Sequence, residues 1–279
     1  MHKNFVFWSL GSVFMIYLFK RKKQSCLIVL GGFLLATLLW TGCTKNINAA
    51  ANKAFLSVTN AVEGGIALDV LFEGTTILPP GQPLLPADST TGQAGKPYLP
   101  VIAGIHHFGV TPDRINYLAD GNIALQANQN YSVFLYDTIF AGKIHTLILG
   151  DQIPILPDSM SGFRFLNLSP SADTLIYVMT KKNKIHRLTS DTIVIDTSLL
   201  GSIPFIGPNP VPSNYSGFRP YKSGGYIINT ASDTSGVLFN FVPVDSIYLA
   251  GGKSYTAYMT GFKNGSGSDT LKARLLQHN

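Results

Sequence analysis

Thiols are almost missing from this chain of 279 residues: its two cysteines, Cys26 and Cys43, both fall in the first 43 positions. A disulfide framework is therefore excluded for everything that follows, and residues 43–279 must be held by burial alone, which a chain of that size can supply. Charge is also scarce. Asp, Glu, Lys and Arg make up 13% of residues, against about 25% in ordinary soluble domains. Glutamate is reduced to Glu63 and Glu73, so paired carboxylates for acid–base work are few. There is no Gly-x-Ser-x-Gly elbow and no free thiol beyond Cys43, which removes the usual sequence marks of a nucleophilic hydrolase. No cluster of basic and aromatic residues offers a nucleic-acid surface. What the chain has in quantity is Gly (27) and Pro (16), with much Ser, Thr and Asn, a composition suited to short strands and many turns.

The charge that exists is unevenly placed. Residues 1–42 hold five Lys or Arg and no acid, so the net charge of +6 falls to +1 for the remainder. Lys20-Arg21-Lys22-Lys23 precedes the uncharged run Gln24–Trp40 and then Thr41-Gly42-Cys43, the order of a bacterial export signal with its basic end held on the cytoplasmic side. Thr41-Gly42-Cys43 resembles a lipobox, with Trp40 standing where Leu is usual; it implies cleavage before Cys43 and a diacylglycerol on that cysteine. The expectation is an outer-membrane lipoprotein of the cell envelope, with the membrane as a partner through its anchor. No acidic cluster follows Cys43, and both the periplasmic and the surface face stay open. Upstream, Phe5–Phe19 is apolar but shorter than the ~20 residues that span a bilayer comfortably, and starting at Met15 gives a signal of ordinary length. Residues 43–53 read as a tether.

From Ala54 the pattern has a period of two. Leu56 and Val58 share one side, with Ser57 and Thr59 on the other; Leu68, Val70 and Phe72 oppose Asp69 and Glu73. This describes half-buried strands, with Gly64-Gly65 and Glu73-Gly74 as turns. Residues 79–100 are rich in Pro and Gly and read as a long surface loop. Further strands are expected at 98–101, 106–110, 123–125, 131–136 and 146–149, with Ala127–Asn130 as a hairpin-like connection. The grammar then restarts. Phe163–Asn167 echoes Leu56–Asn60 and Leu175–Met179 echoes Leu68–Phe72, both at an offset of 107, while Ile247–Leu249 and Tyr255 echo Ile123–Leu125 and Tyr131 at 124. The growing offset places an insertion around 181–220. Such a repeat points to two all-β domains in tandem, 54–158 and 159–279.

Several stretches carry a family likeness. Asn60–Gly74 (NAVEGGIALDVLFEG), Asn167-Leu168-Ser169-Pro170-Ser171-Ala172, Tyr98–Gly104 (YLPVIAG), Tyr131 and Tyr255 together resemble the bacterial family of domain of unknown function 4397. The resemblance spans about 54–261. It implies immunoglobulin-like β-sandwiches, often paired and lipid-anchored, with no active site to transfer. His106 stands where the family has an aromatic residue, and the loops near 79–97 and 181–220 are longer than usual.

Candidate chemistry is sparse. His106 and His107 are neighbours on an expected strand and so point to opposite faces, which argues against a shared metal; His145 and His186 lack partners at ligand spacing. Neither a metal nor a cofactor is expected. Asp69 and Glu73 would lie on the polar face of one strand as solvated groups. Gly265–Ser268 reads as turn or linker. Nine of thirteen aspartates precede Ser or Thr. Six of those continue with an aliphatic residue or Met, at Thr138, Ser159, Thr174, Thr192, Ser246 and Thr270. Side-chain turns before strands explain the pattern; it also resembles the O-glycosylation site of exported proteins in Bacteroidota, and both readings can hold. Tyr215, Phe218, Arg219 and Tyr221 lie in the insertion as a candidate binding loop, either a stacking platform for sugar or peptide or a plug on the open end of a sandwich. The function expected is a non-catalytic binding, adhesion or scaffold module acting on an unknown protein or glycan, not an enzyme. A carbohydrate-binding accessory lipoprotein and a hydrolase with an unrecognised site are the alternatives.

Overall fold

A computed structural model describes residues 52–86, 89, 98–138, 144–172, 174–186, 191–232, 242–262 and 270–279. The leader, Cys43 and the tether before Asn52 lie outside them, as does Gly265–Ser268. The described chain is all-β. It runs through β1 (Lys53–Glu63), β2 (Asp69–Phe72), β3 (Thr75–Thr76), β4 (Leu99–Ile102), β5 (Gly104–Thr111), β6 (Ala119–Leu125), β7 (Asn130–Thr138) and β8 (His145–Asp151). It continues as β9 (Met160–Asn167), β10 (Thr174–His186), β11 (Asp191–Pro204), β12 (Arg219–Lys222), β13 (Gly224–Ser232), β14 (Val242–Leu249), β15 (Ser254–Thr260) and β16 (Lys272–Gln277). Among the described residues the helical content is one 3₁₀ turn, Pro212–Asn214, and no helix is long and apolar enough to cross a membrane.

Four sheets result, ordered β4-β1-β7-β8, β3-β2-β5-β6, β12-β9-β15-β16 and β11-β10-β13-β14. Adding eight to each strand of the first pair of sheets reproduces the second pair. The parallel pairing repeats too: Leu56 faces Tyr131 in β1 and β7, and Phe163 faces Tyr255 in β9 and β15. So do single side chains. The Asn60 amide donates to the Ile66 and Leu84 carbonyls and accepts from the Val62 N–H; Asn167 does the same with Ala172, Ile203 and Ser169. The Tyr131 hydroxyl accepts from the Gln126 N–H, and the Tyr255 hydroxyl from that of Ala250. The offsets of 107 and 124 thus correspond to equivalent bonds. The largest departure is in the β2–β3 hairpin. It closes through Glu73 (φ 51°) and Gly74 (φ 72°), the paired positive φ of a tight two-residue turn, whereas β10 and β11 run 13 and 14 residues.

Three apolar clusters hold the layers. Leu56, Val58, Val70, Val110, Val133 and Leu135 fill the space between the first two sheets. Phe163, Phe165, Tyr226, Ile228, Ala257 and Met259 do so between the second two. A third cluster, including Phe134, Tyr136, Leu147, Leu166, Tyr258 and Leu276, joins the outer faces of β4-β1-β7-β8 and β12-β9-β15-β16. That third cluster overturns the half-buried reading of β1: Ser57 and Thr59 are 1% exposed, because their face is covered by the other half of the chain. Residues 51–279 accordingly form a single contact unit. Ala127–Asn130 is not a hairpin either. It carries the chain from β6 in one sheet to β7 in the facing one, with Asn128 at φ 60°. The loop after Pro79 is pinned to the core where Leu84 and Leu68 exchange backbone bonds of 2.8 and 3.0 Å.

A loop-walled cleft over a buried polar ring

The loop 205–218 leaves β11 at Pro204 and crosses the seam between the halves before entering β12. Phe205 packs edge-on to Tyr136, and the Tyr136 hydroxyl donates to the Gly207 carbonyl at 2.6 Å. Ile206 and Tyr215 join the third cluster. At its far end the Ser216 carbonyl accepts from Arg164 Nη1, and the Phe218 ring lies 4.4 Å from the Arg164 guanidinium and edge-on to His278. Fastened at both ends, the segment walls a cleft of about 410 Å³. Phe163 and Phe165 from β9, Ile203 and Pro204 from β11, Asn214 and Tyr215 from the loop, and Arg219 and Tyr221 from β12 line it.

Behind the cleft lies a closed ring of buried polar side chains. Arg164 Nε donates to Thr256 Oγ1 at 2.7 Å, and Thr256 contacts His278 Nε2 at 2.6 Å. His278 Nδ1 contacts the Tyr98 hydroxyl at 2.6 Å, and Tyr98 donates to Asp151 Oδ2 at 2.7 Å. Asp151 Oδ1 meets Arg164 Nη2 at 2.6 Å, and Ser132 adds a donor to Oδ2. Arginine only donates and carboxylate only accepts, so the direction is set: Thr256 donates to Nε2, and His278 carries its proton on Nδ1. Arg164 and His278 are 5% and 2% exposed. Burial pushes His278 down to about 4, helped by Arg164 and opposed by Asp151; burial, then the Asp151 charge, pushes the Tyr98 phenol upward. A second proton on His278 would face a hydroxyl already receiving from Arg164. Tyr98, Ser132 and Asp151 come from the first half, and Arg164, Thr256 and His278 from the second. The ring is a polar bolt through an apolar seam.

Tyr215, Phe218, Arg219 and Tyr221 do not form an exposed platform. Tyr221 is 7% exposed, edge-on to Phe163 in the core; Phe218 turns inward to Arg164 and His278; Tyr215 is half-buried, and Arg219 is exposed at the cleft. His106 and His107 take separate partners, Glu73 at 3.1 Å and Asp120 at 2.7 Å, and His145 pairs with Asp137. Among the described residues no group of three or more His, Cys, Asp or Glu could hold a metal. Asp69 and Glu73 do not share a strand face as solvated groups. Asp69 accepts from Arg114 Nε at 2.7 Å, while Glu73 sits in the turn, its carboxyl lowered by the His107 N–H and by His106. The Asp–Ser/Thr pairs do not all precede strands: Asp196-Thr197 and Asp245-Ser246 lie inside β11 and β14. Of the six candidate hydroxyls, Ser159 is exposed in a turn, Thr138 and Thr270 are half-buried, and Thr174, Thr192 and Ser246 are on strands.

The model of a family described as a domain of unknown function (DUF4397) matches residues 54–177. That stretch is similar to the family. No curated protein matches the chain. Among solved structures, a candidate cell adhesion protein from Bacteroides uniformis is similar over 81% of this chain and 99% of its own, at 12% identity and a TM-score of 0.22. A leucine-rich repeat protein from Bacteroides thetaiotaomicron is similar over 74% of this chain and 25% of its own, at 10% identity and a TM-score of 0.16.

The matched stretch contains Tyr98, Ser132, Asp151 and Arg164, whereas Thr256 and His278 lie beyond it. The polar ring is therefore closed by residues outside the matched segment. Sequence reasoning missed all six. One signal was available: Arg164 interrupts the apolar run Phe163–Leu166 on β9, a charge in a strand that otherwise reads as core.

Proposed function

We propose that the protein is a lipid-anchored, non-catalytic binding module of the cell envelope, built as two immunoglobulin-like sandwiches in tandem, with its recognition site at the β11–β12 loop of the second. The observation that carries this reading is the cleft: residues 205–218, between β11 and β12, wall a concavity of about 410 Å³ beside β9 and β12. Ligand sites of ~300–1,000 Å³ are usual, and loops over rigid scaffolds are where recognition gathers. The repeated strand order and the matched duties of Asn60 with Asn167 and Tyr131 with Tyr255 support the tandem reading. A non-catalytic role is supported by the titratable groups. Among the described residues, Asp151, Arg164 and His278 are sealed together in the seam, and Asp69, held by Arg114, stands apart from Glu73. The anchor rests on Lys20–Cys43; several acyl chains at ~0.8 kcal/mol per buried CH₂ would make it stable.

Cell fractionation with protease shaving tests the placement. The native chain should fractionate with the outer membrane and Cys43→Ala should not; equal distribution of the two would refute the anchor. Shaving then separates the surface from the periplasmic face.

A further inference from the structure

We infer that the cleft takes an acidic saccharide, with Arg219 receiving a uronate carboxylate and Tyr215 offering its ring to the sugar face. This rests on the binding-module reading and names the ligand class for that site. The lining contains two arginines and no Asp or Glu. Arg164 is neutralised by Asp151 in the seam, which leaves Arg219, exposed on β12, as the lining cation that faces solvent. A guanidinium offers paired donors in the geometry a carboxylate requires. Asn214 adds an amide able both to donate and to accept, the complement of a sugar hydroxyl. The aromatic walls are held before any ligand arrives: Tyr221 is locked against Phe163, and the loop carrying Tyr215 is fastened through Gly207 and Ser216. Preorganised rings lose little entropy on binding.

A peptide fits less well. The cleft lies beside β11 and β12, each at the edge of its sheet, and extended peptides bind such edges by adding a strand. Here Pro204 ends β11 and Pro220 sits within β12. Proline has no N–H to give a ladder, which blunts both edges where the cleft opens.

Calorimetric titration of the full chain in detergent with trigalacturonate, a glucuronate trimer and neutral trigalactose tests this. At least one acidic trimer should bind tenfold or more tightly than the neutral one. Arg219→Gln should weaken it at least tenfold and remove its salt dependence, and Tyr215→Ala should weaken it severalfold. Lys222→Gln, on the same strand but outside the lining, should change it less than twofold. Equal binding of acidic and neutral trimers through Tyr215 would overturn the acidic class while leaving the module reading intact. Binding indifferent to both Arg219→Gln and Tyr215→Ala would overturn the site. Absence of binding by every trimer, or preference for an acidic hexapeptide, would overturn the saccharide assignment.

Discussion

Acid should loosen this protein through His278, and by an amount that the geometry bounds. In the fold the imidazole is neutral, with Nε2 receiving from Thr256 and Nδ1 giving to Tyr98, and its pKa is held at about 4 against 6.5 in an open chain. Because the folded value is depressed for a base, the unfolded chain takes up the proton first. The stability that neutral His278 permits is present above 6.5 and is lost as the pH falls toward 4. Relative to pH 7, linkage gives a loss of about 2 kcal/mol by pH 5 and nearly 3 kcal/mol by pH 4. Other groups titrate over the same range, so the reading must be differential. Urea unfolding at pH 7, 6, 5 and 4 should be compared with His278→Gln, which cannot titrate. The wild type should be the more stable at pH 7, and the gap should narrow by about 3 kcal/mol by pH 4, half of it gone near pH 5.5. Parallel pH curves for the two proteins, or a gap that widens in acid, would refute the neutral, closed ring.

The ion pair in the same ring should show the asymmetry of buried charge. Asp151→Ala alone strands the Arg164 guanidinium and should cost about 3–5 kcal/mol, whereas Asp151→Leu with Arg164→Met should recover most of it, read from urea midpoints; equal losses in both would remove the argument. Gly251→Ala should cost about 3 kcal/mol, since a Cβ there meets the backbone carbonyl of Asp158 and a packed turn has no room to yield; thermal unfolding unchanged from wild type would count against that packing. If the Asp–Ser/Thr motifs carry glycans, intact-mass and peptide mapping of native protein should find Ser159 occupied most fully, being the exposed hydroxyl in a turn. Bare Thr138, Ser159, Thr174, Thr192, Ser246 and Thr270 would end that reading.

What the sequence made legible follows from what period-two alternation can encode. Leu56 and Val58, Val133, Phe163 and Phe165 are placed on the inner faces by alternation alone, and the repeat offsets locate Asn167 and Tyr255 in the roles of Asn60 and Tyr131. Alternation says only which side chains share a face; what covers the other face is decided by a surface far away in sequence. Ser57 and Thr59 read as solvent-facing because small hydroxyl residues suit either setting. They are buried because Leu166, Tyr258 and their neighbours close over them from the second half. The same blindness explains Ala127–Asn130, where turn residues announce a reversal of direction without saying whether the chain returns to the same sheet.

The ring and the cleft were hidden for a related reason, and they belong together. The seam between the two inner sheets is mostly apolar, and apolar surfaces of similar shape can slide. A directional chain of hydrogen bonds from Arg164 to Asp151, closed by their ion pair, fits one register, so it selects among packings that hydrophobic area would leave nearly equal. The β11–β12 loop uses that fixed register: it reaches Tyr136 on one side of the seam and Arg164 on the other, so its cleft exists only while the halves stay aligned. Breaking the bolt should thus affect recognition as well as stability. Asp151→Asn keeps the shape of the side chain and removes its charge, leaving Arg164 under-compensated at the back of the cleft. It should lower stability by about 2–4 kcal/mol and weaken acidic-trimer binding more than Lys222→Gln does, although Asp151 does not line the cleft. Binding as tight as wild type in a folded but destabilised Asp151→Asn would separate the two and show that the loop holds its shape without the seam.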